Sequence, residues 1–313
     1  MRRVLLYILL FALVAVSCER RPLKTADFAV QLNINLNKDV INYDVEKDPS
    51  IMRCIFYNSE TGAFVTQTFL PPTGGVVNLV PSKTYDVLVY NFDTESTWIQ
   101  DENWFDKIFA STSLIPDSFK TKLRSRSSKT DEEQIVYDPD HLYVGRLNDV
   151  FIPARSDEAP MVVLDINVES VVQSWVIELD AITGVENIGS VAGVVTALAR
   201  KNHLGTNTRS DEYASVYFDT PVIDEKGHLT AKFNTFGRNE NCPESQVLSL
   251  VFIDIAGNGR TFNFDVTDEF INNKDQVIRL TKEIDIPKPM TSGSGGFVPK
   301  VDPWEDINTE III

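Results

Sequence analysis

Between Phe28 and Leu36 the chain alternates strictly. Phe28, Val30, Leu32, Ile34 and Leu36 stand on one side, and Ala29, Gln31, Asn33 and Asn35 on the other. A period of two is that of a half-buried β-strand. Strand-like runs follow at 51–57, 63–69, 76–80 and 85–90. The turn cluster Asn58-Ser59-Glu60-Thr61-Gly62 makes a hairpin of the first two, and Pro71, Pro72, Gly74, Gly75 and Pro81 separate the others. The rhythm returns at 136–144, 161–166, 171–179, 213–218, 229–236, 247–255, 260–266 and 276–286, with Gly257-Asn258-Gly259 as a hairpin turn. Residues 182–199 are ambiguous by pattern alone, but Gly184, Gly189 and Gly193 favour strands and turns over a continuous helix.

One stretch breaks the rhythm. From Asp93 to Glu133, Trp98, Trp104, Phe105, Ile108 and Phe109 predict a short amphipathic helix, with the two tryptophans packed in a core or between domains. Lys120, Lys122, Arg124, Arg126 and Lys129, mixed with serines, predict an exposed, protease-sensitive loop. Many short strands with frequent turns indicate an all-β chain of two successive β-sandwiches, expected at 27–158 and 159–290. A Gly/Ser linker opens the tail 291–313. Phe297, Val301, Trp304, Ile307, Ile311, Ile312 and Ile313 make that tail too apolar for a disordered end. It is expected to pair with an edge strand of its own sandwich, or with that of a neighbouring subunit, with Phe297, Trp304, Ile311 and Ile313 filling pockets.

The first residues add a destination. Arg2 and Arg3 precede an apolar run, Val4 to Val16, that is too short to span a bilayer, which takes ~20 apolar residues, and fits a secretory signal. Ala15-Val16-Ser17-Cys18 looks like a lipobox. Residues 1–17 are therefore expected to be removed, and the Cys18 thiol to carry the acyl chains. The acylated Cys18 would hold the protein to outer-membrane lipid, and 18–26 would be its tether. Each buried methylene contributes ~0.8 kcal/mol, so two or three chains anchor firmly.

Charge excludes one partner class. With 29 basic against 45 acidic residues the net charge is −16, and loss of Arg2 and Arg3 makes it more negative. Nucleic acid demands a basic surface, so none is expected as a partner. Chemistry is sparse as well. His141, His203 and His228 do not fall at metal-ligand spacing, and no HExxH, CxxC, GxSxG or P-loop occurs. No catalytic residue, metal or cofactor is expected. Asp138-Pro139-Asp140-His141 could offer oxygens to calcium but lacks a known loop spacing, and reads better as a turn entering a strand. Cys54 reads as a buried thiol and Cys242 as a loop thiol, in preference to a disulfide between them.

Several segments together carry a resemblance. Val80-Pro81-Ser82-Lys83-Thr84-Tyr85-Asp86-Val87-Leu88-Val89-Tyr90-Asn91 resembles the G-x-Y-D…V-Y-N strand of Bacteroidales fimbrillin-type lipoproteins. Asp138-Pro139-Asp140-His141-Leu142-Tyr143-Val144-Gly145 is similar to their P-D-x-L-Y-A-G segment, and Phe264-Asp265-Val266-Thr267 to a late F-D-V-T strand. Gly295-Gly296-Phe297 to Asp302-Pro303-Trp304-Glu305 resembles their Gly-rich linker and D-x-W-E ending. The resemblance, to lipoproteins kin to FimB-like fimbrial anchors and minor fimbrillins, implies two tandem transthyretin-like β-sandwich domains. It also implies a non-enzymatic role in adhesion or fimbria assembly at the outer membrane. A surface glycan-binding lipoprotein, with Trp98 or Trp104 as a stacking platform, is the alternative; a secreted hydrolase with paired carboxylates is a third reading.

Overall fold

The alternating run that opens the pattern folds as β1 (Phe28–Leu36), with Val30 and Leu32 fully buried and Ile34 nearly so. In the computed structural model the described residues are 28–289, apart from 39, 43–47, 117–132, 155–159 and 220. The expected signal 1–17, Cys18 and its tether, the basic stretch Lys120 to Lys129, and the tail with Phe297, Trp304, Ile311 and Ile313 lie outside the described residues. The expectation of an all-β chain holds. No helix among the described residues is long and apolar enough to cross a membrane.

A seven-stranded sheet has the order β3-β2-β5-β9-β10-β1-β4. It contains β2 (Met52–Asn58), β3 (Phe64–Leu70), β4 (Gly74–Leu79), β5 (Lys83–Asn91), β9 (Tyr143–Ile152) and β10 (Val162–Ser170). The β9–β10 pairing is only three residues long, Val168↔Gly145 to Ser170↔Tyr143. The flanks on either side of this joint close over one core, in which Val30, Leu32, Val77 and Ile166 meet Met52, Cys54, Val87 and Val89. Gly145 makes the joint possible. A Cβ there would lie 2.7 Å from the Asn167 carbonyl oxygen and from the Val168 side chain.

A second unit stacks two sheets. One has the order β17-β18-β11-β21 and the other β20-β19-β13-β16-β8. The first comprises β11 (Gln173–Leu179), β17 (Val222–Ile223), β18 (Leu229–Thr235) and β21 (Val277–Leu280). The second comprises β8 (Gln134–Tyr137), β13 (Ile188–Ala199), β16 (Tyr213–Phe218), β19 (Val247–Asp254) and β20 (Gly259–Asp265). Trp175, Ile177, Phe233 and Ile278 pack there on Val195, Phe218, Leu250 and Phe252, with the Phe218 and Phe233 rings stacked at 4.8 Å. A short pair, β12 (Ile182–Thr183) with β22 (Ile284–Asp285), lies beyond β11.

A small sheet joins the units: β6 (Thr97–Gln100), β7 (Phe109–Thr112), β14 (Lys201–His203) and β15 (Thr208–Arg209). Its Ile99, Ile108 and Ala110, with Leu204, cover Ile55, Tyr57, Leu88 and Tyr90 on the outer face of the large sheet. This explains why β2 and β5 read as nearly continuous apolar runs, since both their faces are buried.

Three differences from the sequence reading stand out. Residues 98–109 form the β6–β7 hairpin and not an amphipathic helix, because Thr97 to Gln100 pair with Phe109 to Thr112 around a turn at 101–107. The run 136–144 is two strands in different sheets, split at Asp138–His141. Strand pairing also crosses the boundary expected at 158/159. β8 lies before it yet pairs parallel with β16 of the second unit, and β10 lies after it yet pairs with β1 and β9. The late F-D-V-T segment ends its strand at Asp265, whose carboxylate accepts the Thr267 N–H and hydroxyl at the start of α1 (Thr267–Asn272).

Candidate functional site

Two of the family-like motifs, the one ending at Asn91 and the one running through Asp138–Gly145, meet in space at the joint between the units. Asn91, at the end of β5, is almost fully buried. Its amide donates to the His141 carbonyl (3.1 Å) and to Asp93 Oδ1 (3.1 Å), and its oxygen accepts the Tyr143 N–H (2.7 Å). Asp140 Oδ2 accepts the backbone N–H groups of Glu95, Ser96 and Thr97 at 2.9, 2.6 and 2.9 Å and the Ser96 hydroxyl at 2.9 Å. A carboxylate receiving so many donors is held by charge-assisted bonds. Its own N–H donates to Thr97 Oγ1 at 2.8 Å. Asp140 Oδ2 is thus engaged in fixing the start of β6.

The same loop reaches the second unit. Asn234, on β18, donates from its side-chain amide to the Pro139 carbonyl (3.0 Å) and from its backbone to Asp138 (3.4 Å). Because that amide nitrogen faces Pro139, Asn234 Oδ1 faces Ser174 and can only accept. The Ser174 hydroxyl therefore donates to it at 2.6 Å. His141 Nε2 lies 3.0 Å from Ser174 Oγ and must supply the proton of that contact. In this arrangement the Ser174 hydroxyl turns its proton to Asn234 and away from His141. Burial pushes the His141 ring down to about 4, with the Asp140 charge acting against it, so the ring is neutral near pH 7. Burial first, then the charges of Asp140 and Asp219, pushes the Asp138 carboxyl up to about 6.

Other residues singled out by sequence are dispersed. Trp98 and Trp104 are exposed, at 58% and 43%, and are not packed in a core or between domains. On β6 it is Ile99 that faces the core, which turns Trp98 outward, while Trp104 sits in the turn beneath the Lys107 ammonium, 5.3 Å from its ring. Exposure alone does not make either ring a sugar platform. Cys54 and Cys242 are both free and both buried. Cys242 does lie in a loop, but its sulfur is enclosed, 3.7 Å from the Ala197 carbonyl oxygen and 3.9 Å from Gln246 Nε2. His203 lies on β14 and His228 pairs with Asp180, 2.5 Å away at an exposed site. Among the described residues no three His, Cys, Asp or Glu side chains gather as a metal site. Sequence reasoning missed Ser174 and Asn234, which carry no local signal because their partners lie 33 and 95 residues away.

Comparison with known proteins gives this geometry a context. A family model described as a domain of unknown function, DUF5119, matches residues 17–219. A Bacteroides ovatus protein named "Putative fimbrium anchoring subunit Fim4B" is 28% identical, over 93% of this chain and 92% of its own length. The crystal structure of a "putative adhesin" from Bacteroides ovatus superimposes with a TM-score of 0.65 at 23% identity, covering 88% of this chain and 98% of the other. The fimbrial anchor protein Mfa2 of Porphyromonas gingivalis does so with a TM-score of 0.51 at 12% identity, over 81% and 90%. These likenesses establish a shared fold over most of the chain and agree with the fimbrillin-type resemblance read from the motifs.

Proposed function

We propose that this chain, which belongs to the DUF5119 family, is a non-enzymatic envelope subunit that anchors fimbria-like fibres or mediates adhesion. One observation carries the reading: near-complete two-way coverage with a relative named as a fimbrium anchoring subunit. The fold shared with an adhesin and with a fimbrial anchor supports it. In this reading residues 1–17 are a signal peptide and Cys18, in its lipobox, carries acyl chains that hold the mature chain to the outer membrane. Residues 18–26 tether two transthyretin-like sandwiches, which interlock through β8 and β10. The tail 291–313 engages fimbrial subunits by strand addition through Phe297, Trp304, Ile311 and Ile313.

Cells carrying Cys18→Ala test the anchor. Palmitate label should vanish from the protein, and fibres should be shed into the medium. Undiminished labelling removes the lipid assignment, and fibres that stay on cells despite lost label remove the anchoring role. Deleting 297–313 tests the tail. The isolated protein should melt unchanged while co-isolation with fimbrial subunits is lost. A lowered melting temperature with co-isolation intact would place the tail in its own sandwich.

A further inference from the structure

Most strand pairs in this protein are antiparallel, yet the strands nearest both ends of the described chain pair parallel. β1 lies parallel to β10 over seven residue pairs, Val30↔Val162 to Leu36↔Val168. At the other end β21 lies parallel to β11, from Val176↔Val277 to Leu179↔Leu280, and β22 lies parallel to β12. β10 and β11 are consecutive, joined by Val171 and Val172 alone. Both terminal segments therefore lie along one continuous run of chain, Val162 to Thr183, that passes from the first unit into the second.

The direction of pairing decides how such strands respond to tension. Suppose the chain is held before β1 and pulled beyond β22. Force enters β1 at its first residue and reaches β10 at its last, where β10 continues into β11. In a parallel pair these two points lie at opposite ends of the ladder. The strands must slide past one another, and all their hydrogen bonds resist together. In an antiparallel pair the same two points would be neighbours, and the bonds would open one at a time. The relation repeats at β11 and β21, with force entering β11 at its start and leaving β21 at its end.

Side chains reinforce both ladders at facing positions. Asn33 donates to Asp165 at 2.9 Å and Asn35 to Asn167 at 3.3 Å across β1 and β10. Arg279 pairs with Glu178 at 3.1 Å across β21 and β11, and the Thr183 hydroxyl donates to Asp285 at 2.7 Å across β12 and β22. Sliding also meets the core. A one-residue slip of β1 would exchange buried Val30, Leu32 and Ile34 for Gln31, Asn33 and Asn35. On the other side Ile278, Leu280, Ile284 and Ile286 are buried and would be withdrawn.

We propose that β1–β10 and the β11–β21 and β12–β22 pairs are two shear clamps on one spine, and that the fold serves to transmit tension between a support at its N-terminal end and a partner at its C-terminal end. The proposal rests on the anchor reading for the source of the force, but not for the property itself.

Single-molecule force spectroscopy on the full mature chain tests it. Attachment at position 18 and after Ile313 loads the clamps in shear. Attachment at position 18 and at Met161, which is exposed and precedes β10, loads the β1–β10 pair from one end. At equal loading rate the first geometry should rupture at several-fold higher force than the second. Asn33→Ala with Asn35→Ala should lower the first force and leave the second nearly unchanged, because peeling breaks cross-strand contacts singly. Equal forces in the two geometries, or a weaker end-to-end geometry, would overturn the proposal. A failure of palmitate labelling would leave this result untouched and count only against the lipid anchor.

Discussion

Single atoms set the joint between the units. At Gly145 the Asn167 carbonyl and the Val168 side chain occupy the space a methyl group would need, and backbone cannot give way as a flexible side chain can. Gly145→Ala should therefore lower stability by about 1–3 kcal/mol, as overpacking of a filled core does. A urea midpoint indistinguishable from wild type would contradict this. Nearby, Asp138 and His141 titrate against each other. The Asp138 carboxyl is raised from 3.8 to about 6, so the folded state takes up this proton first and gains stability as pH falls from 6 towards 4. His141 is lowered from 6.5 to about 4, so its contribution is present above 6.5 and is lost across nearly the same interval. The slopes oppose. His141→Gln should uncover a protein that grows more stable between pH 6.5 and 4.5 in urea titrations, whereas Asp138→Asn should steepen the loss. Parallel pH profiles in the two variants would show that these groups do not set the dependence.

Elements were legible where one periodicity acts alone. β1 could be read residue by residue, because one face is wet and the other is core. β13 gave an apolar run of either type, and its glycines pointed to strand. The β6–β7 hairpin misled because Trp98, Trp104, Phe105, Ile108 and Phe109 fall near helical spacing by accident. In the hairpin Ile99, Phe105 and Ile108 pack against the core while Trp98 and Trp104 face solvent. Iodide should accordingly quench the Trp98 and Trp104 emission and spare that of Trp175, which is 2% exposed. In single-tryptophan variants, protection of Trp98 equal to that of Trp175 would reinstate a packed role. At the joint, Asn91 and Asp140 were flagged by motif, but what they hold was not. Their bonds close across 50 and 43–45 residues of chain, and no local pattern encodes such a meeting.

At the scale of the whole molecule, two sandwiches in chain order proved too simple. β8 is delivered to the second unit before β9 and β10 complete the first, and β14 with β15 return to cover the first unit's outer face. Fragments cut at 158/159 would lack β10 in one piece and β8 in the other. Expressed separately, 27–158 and 159–290 should be insoluble or molten, exposing the apolar faces of β1 and β16; expressed together, they should recover a folded complex. Two sharp, independent melting transitions from the separate fragments would show that the exchange of strands is dispensable. The exchange escaped the sequence because parallel partners such as Gln31 and Val163 carry no mark of each other.

The distance between those partners has a consequence for biogenesis. A chain is made from its N-terminus, so β1 is complete long before Val162 to Val168 exist to receive it. Until then β1 is paired only on its β4 side, and its other edge is open. The first unit is thus scheduled by its last strand. Such high contact order makes closure slow and leaves an unpaired strand edge exposed for as long as synthesis continues. In the exported protein proposed above, that late closure would keep the chain unfolded while it is threaded through a channel.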